Sequence, residues 1–132
     1  MSDNIVWNGS TKLTMSADIK YDHIVEQTAK RCANHLIATS PTGIRKNKNY
    51  KYGWRVVKGR KAKNETFVEV WNETNWQLTW LLENGHLIVN KRNGVGWASA
   101  VPHIQQAIDF VRPQFIADME RAEIDIDFST KG

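Results

Sequence analysis

Cysteine is nearly absent from the 132 residues: Cys32 stands alone, so no intrachain disulfide can form and a reducing compartment is the simple reading. Long apolar runs are missing too. The longest, such as Leu81-Leu82 and Leu87-Ile88-Val89, fall far short of the ~20 residues that span a bilayer, so no membrane partner is expected. The opening Met1-Ser2-Asp3-Asn4-Ile5-Val6-Trp7 lacks the basic start, apolar stretch and small-residue cleavage site of a secretory leader, and none is expected. There are no internal repeats and no low-complexity tracts. What is present is an apolar content of 41%, with six Trp, four Phe and three Tyr, enough to build a core and to exclude a disordered polar chain. The length suits one domain.

Charge is unevenly spread. Basic residues outnumber acidic ones by 18 to 14, yet nine of the 18 lie between Gly43 and Asn64, where no acidic residue occurs: Arg45, Lys46, Lys48, Lys51, Arg55, Lys58, Arg60, Lys61 and Lys63. The remainder is acidic by −5, most visibly at Asp118, Glu120, Glu123, Asp125 and Asp127 around a single Arg121. Such separation lets a chain present a positive face to a polyanion or dock against another copy of itself; two solvated surface segments are the plainer alternative.

The pattern of residues predicts an α+β fold. Residues 1–15 read as a lead-in or arm, with Asn8-Gly9-Ser10 as a turn. A helix is expected from Ser16, its N-cap, with Asp18 in the first turn and an apolar stripe at Tyr21, Ile24, Val25, Thr28, Cys32, Leu36 and Ile37. Ser40-Pro41-Thr42-Gly43 ends it. Tyr50, Tyr52, Trp54 and Val56 alternate with Lys51, Gly53, Arg55 and Val57, which predicts a strand with the rings on the buried face. Lys58 to Asn64 reads as a basic turn into a second strand, Thr66–Trp71, completing an antiparallel hairpin. A short helix is expected over Asn72–Asn84, with Trp76 and Trp80 at core spacing and Gly85 as its stop. A second pair of short strands flanks Arg92-Asn93-Gly94. A long helix from about Pro102 to Glu123 follows, which Pro113 should kink or break, and the acidic residues 124–132 form a tail. The single domain is thus expected over 16–123.

Few residues invite chemistry. His23 and His35 lie twelve apart on one helix, too distant to share a metal, and neither His86 nor His103 has a ligand partner at metal spacing. Cys32 falls on an apolar helix stripe, where a buried thiol is the default. No serine stands in a nucleophile elbow, and Gly94-Val95-Gly96 is too short for a phosphate loop. Neither cofactor nor metal is expected, and catalysis is the weaker class. In the 45–63 segment, bases could meet the rings and phosphates the lysines, but alternation turns the rings inward. That leaves a phosphate-facing hairpin without base readout, a nonspecific nucleic-acid module.

Taken in order, Ser40-Pro41-Thr42-Gly43, Tyr52-Gly53-Trp54-Arg55, Val70-Trp71-Asn72-Glu73, Trp76 to His86, and Val101-Pro102-His103-Ile104 resemble the neck, or tail-completion, family of long-tailed bacteriophages. The resemblance covers residues 16–118, and Leu81-Leu82-Glu83-Asn84-Gly85-His86 with Pro102-His103-Ile104 is its most specific part. Trp76 departs from it, standing where tyrosine is commoner. The resemblance implies a virion protein assembled in the bacterial host cytoplasm, a ring component needing no catalytic group. The ring implied is a hexamer, with a dodecamer as the alternative. Its neighbours would be a head-closure or connector protein and a tail terminator or tail tube protein, with genomic DNA passing without sequence recognition. On that reading Arg45, Lys46, Lys48, Lys58, Arg60, Lys61 and Lys63 either form a subunit interface with the acidic tail or line the DNA channel. Pro41, Gly43, Trp54, Leu81, Leu82, Glu83, Gly85, His86, Pro102 and His103 are structural, with His86 and His103 bonding backbone, packing together or meeting a neighbour.

Overall fold

Alternation decides the sheet. In β4 (Glu65–Asn72) Thr66, Val68, Val70 and Asn72 turn inward while Phe67, Glu69 and Trp71 turn outward, the two faces expected from a period of two. On one side β4 pairs with β3 (Trp54–Ala62) and on the other with β2 (Lys12–Asp18), which in turn carries β1 (Ile5–Trp7). The order is β1-β2-β4-β3, antiparallel throughout. A second, two-stranded sheet pairs β5 (His86–Asn90) with β6 (Gly94–Ala98). The computed structural model describes residues 5–7, 12–40, 50–74, 76–90 and 94–131, with backbone alone at 60–61, 77–78, 80, 86–90, 94–98 and 124–131.

Three helices complete the α+β architecture: α1 (Asp22–Thr39), α2 (Gln77–Asn84) and α3 (Ile104–Lys131). Val25, Thr28, Ala29, Cys32, Ala33 and Leu36 form the buried stripe of α1, which lies across β4 and β3. Ile104, Ala107, Ile108, Val111 and Phe115 bury the matching stripe of α3. That helix packs beside α1 and reaches β1, where the Arg112 guanidinium donates to the Ile5 carbonyl at 3.4 Å. The core joins these stripes to Leu13, Met15, Val68 and Val70 of the sheet.

Several expectations are corrected. The helix expected from Ser16 starts at Asp22, because Leu13, Met15 and Ala17 alternate with Lys12, Thr14 and Ser16 and form β2 instead. The capping signal was real but belongs to Asp18, whose side chain accepts the Lys20 N–H at 3.0 Å and opens a 3-10 turn, Ile19–Tyr21, leading into α1. Residues 12–15, assigned to a lead-in, are therefore sheet, as is 5–7. Tyr50–Tyr52 is another 3-10 turn rather than strand, and its three-residue period buries Tyr50 while leaving Tyr52 63% exposed. The basic turn over 58–64 is mostly strand: β3 runs to Ala62, with a register shift between Gly59 and Ala62, and Lys63-Asn64 makes the turn. Trp76, expected in the core, is 47% exposed just ahead of α2. Finally, α3 continues through Pro113 and through residues 124–131 of the expected acidic tail. Pro113 and Asp109, whose carbonyl it leaves without a helical donor, both lie on the exposed side, where water can take the bond.

Candidate functional site

Polar side chains gather at one end of the molecule, where α1 finishes and α3 begins. Tyr50 and His103 are both fully buried, and the Tyr50 oxygen lies 2.6 Å from His103 Nε2. The other ring nitrogen, Nδ1, is 2.9 Å from the Val101 carbonyl, which can only accept, so Nδ1 carries a proton. Thr79 Oγ1, from α2, stands 3.4 Å from the same phenol oxygen. Trp54 closes the cluster edge-on, with ring centroids 5.7 Å from Tyr50 and 6.2 Å from His103, and donates its indole N–H to Ser40 Oγ at 2.8 Å. Asn72, also buried, donates its amide to the Tyr50 carbonyl.

Glu83 ties this cluster to α3. One carboxylate oxygen accepts the backbone N–H groups of His103 and Ile104 at 2.7 and 2.8 Å, and the other accepts that of Gln105 at 3.1 Å. His103 Nδ1 is 3.2 Å from the first oxygen. Burial by itself would raise this carboxyl, but bonds from the His103 side chain and the three backbone N–H groups outweigh it and bring the pKa to about 2. An anion is thus held at the positive end of the α3 dipole, on the donors that no helical carbonyl serves. Tyr50 is shifted the other way: burial chiefly, with the Glu83 charge in support, pushes its phenol well above the usual range.

The two most specific segments of the sequence resemblance meet here. Glu83 comes from the first, His103 and Ile104 from the second, and the Leu82 carbonyl accepts the Val101 N–H at 2.7 Å. Gly85 ends α2 at a φ of 79°, which favours glycine, and the Leu82 side chain packs against the core while Leu81 is half-buried. Pro102 is exposed. His86 begins β5, placed by its backbone. Pro41, Gly43, Arg45, Lys46 and Lys48 lie outside the described residues. Tyr50, Ser40, Asn72 and Thr79 are not singled out as polar partners by sequence; Ser40, Asn72 and Thr79 stand inside the resembling segments, which is the available signal.

Arg55 and Lys58, basic residues of the same segment, turn to carboxylates outside this cluster. Lys58 turns onto the α1 side, where its amine pairs with Asp22 and, at 3.2 Å, with Glu26; those contacts raise the amine and lower Glu26. Arg55 pairs with Glu73 at 3.2 Å and donates to the carbonyls of Tyr52 and Trp54, each at 3.0 Å. Lys63 is exposed at the turn, and Arg60 and Lys61 are placed by backbone in β3. Among the described residues no group of three His, Cys, Asp or Glu side chains forms a metal-sized cluster, and no helix is long and apolar enough to cross a membrane. Comparison with protein-family models, curated proteins and solved structures finds no significant match.

Proposed function

We propose that this chain is a structural protein of a tailed bacteriophage, a ring component of the neck that joins the DNA-filled head connector to the tail and completes the DNA channel. The observation that carries the reading is the Glu83–His103 junction: the two segments most specific to the neck-family resemblance, distant in sequence, form one hydrogen-bonded unit. The residues of the motif thus have a mechanical task, fixing where α3 leaves the body. A His–Tyr–carboxylate line suits proton transfer when a substrate can reach it. Here the His103 and Glu83 side chains are 1% and 7% exposed, which suits a structural part better than an enzyme. The nucleic-acid reading draws less support, because Arg55 and Lys58 spend their charge on carboxylates of the same chain.

The test is an early stop codon in this gene of the phage, followed by electron microscopy of lysates. Full heads accumulating beside separate tails is the expected result. Intact particles at normal titre would remove the neck assignment. Tight binding of free DNA by the purified chain, falling steeply with salt, would then favour the nucleic-acid module.

A further inference from the structure

The fold brings the two oppositely charged regions to the same end of the molecule. The β3–β4 turn is anchored there by the Ile19 N–H, which donates to the Asn64 carbonyl at 2.7 Å, just before α1 starts at Asp22. At that same end His23, Ile24 and Gln27 of α1 line a shallow cleft with Asp118, Arg121 and Ala122 of α3. The opposite end holds the Tyr50–His103 cluster and the stacked His35 and Phe110 rings, 4.1 Å apart. Across the molecule, however, the two regions are on opposite flanks. β3 is one outer strand of the sheet, whereas α3 lies toward β1, the other outer strand.

Equal height and opposite flanks are what a ring requires. Copies related by rotation about one axis meet at the same level, each giving one flank to the neighbour on one side and the other flank to the neighbour on the other. Patches at opposite ends would instead stack copies along an axis. Resting on the neck-ring reading, we propose that neighbouring copies pack side by side, with the basic turn end of β3 in one copy against the acidic C-terminal part of α3 in the next. Lys63 on the basic flank and Glu120 and Glu123 on the acidic flank are exposed and make no ion pair among the described residues, so their charge is available to a second copy. Arg60 and Lys61 add to the basic side by their place in β3. Lys58 and Arg55 are already paired and do not take part.

The experiment supplies variants from a plasmid to the phage carrying the stop codon and reads infectious titre, with circular dichroism confirming that each purified variant folds. Reversing the basic set (Arg60→Glu, Lys61→Glu, Lys63→Glu) or the acidic set (Glu120→Lys, Glu123→Lys) sets like charges against each other at every contact, and the titre falls at least about tenfold. Both sets in one chain restore opposite charges around the whole ring, and the titre recovers. Harmless single sets would overturn the proposal. So would a harmful basic set that the acidic set fails to rescue, because the basic residues would then face a polyanion or another protein. If the stop-codon phage keeps its titre with no chain supplied, the neck reading itself fails and the contact fails with it, a result distinct from the others.

Discussion

The Glu83 carboxylate at the end of α2 takes the backbone N–H of His103 at 2.7 Å, twenty residues on, and by doing so caps α3 with a side chain from another element. A local serine or aspartate usually performs this task. Here the cap also joins the two parts of the chain on either side of the β5–β6 hairpin.

Replacing Glu83 therefore costs more than an ordinary cap. Glu83→Gln leaves buried N–H groups with a weaker acceptor, and urea unfolding at pH 7 should show a loss of about 2–3 kcal/mol. The pH dependence has a definite sign. The native pKa of about 2 lies below the ordinary 4.5, so the carboxylate stabilises the fold above about pH 4.5, and that contribution disappears as pH falls through about 2. The wild-type advantage over Glu83→Gln should accordingly shrink across that window.

Tyr50→Phe removes the phenol oxygen that meets His103 Nε2 and leaves a buried ring nitrogen without its partner, a loss of about 1–3 kcal/mol in urea unfolding. Because burial pushes the Tyr50 phenol upward, alkaline absorbance titration of the wild type should contain a late tyrosinate component that Tyr50→Phe lacks. Its persistence in the variant would contradict the assignment.

Gly53 leaves no room for a side chain. A Cβ there would stand 1.8 Å from Thr74 Oγ1 and 2.5 Å from Asn72 Oδ1, and Asn72 is itself held by the Tyr50 carbonyl. Gly53→Ala should destabilise by about 1–3 kcal/mol, as overpacking does. Adding Thr74→Ala should recover part of the loss, and a thermodynamic cycle over the two substitutions measures that coupling.

Cys32 is buried on α1, and desolvation pushes its thiol up to about 12. A thiol reagent at pH 8 should leave the folded protein unmodified and titrate one group per chain in urea. Rapid native reaction would contradict the burial.

Much of this architecture was legible in residue pattern. The two alternating faces of β4, the stripe of α1 and the stop at Gly85 follow from periodicities of two and 3.6 and from glycine's tolerance of positive φ, all local properties. β2 is hidden in the sequence because Ser16 and Asp18 look like a helix start, and only pairing with β4 makes the alternation of Leu13, Met15 and Ala17 decisive. Tyr50 and Tyr52 share a face in the sequence pattern because a 3-10 turn and a strand look alike over so few residues.

The chain's own composition and periodicity determined an α+β class, a long C-terminal helix, a buried lone thiol and a basic segment separated from an acidic one. Tertiary structure decided the rest. It alone set Glu83 against the start of α3, drew Lys58 onto the carboxylates of α1, and brought the basic turn and acidic helix end to one end of the molecule on opposite flanks. The physical reason is range. Helix and strand patterns come from neighbours a few residues apart, whereas a polar partner or a shared end depends on how whole elements cross, and the path of a chain between them is not written in local spacing.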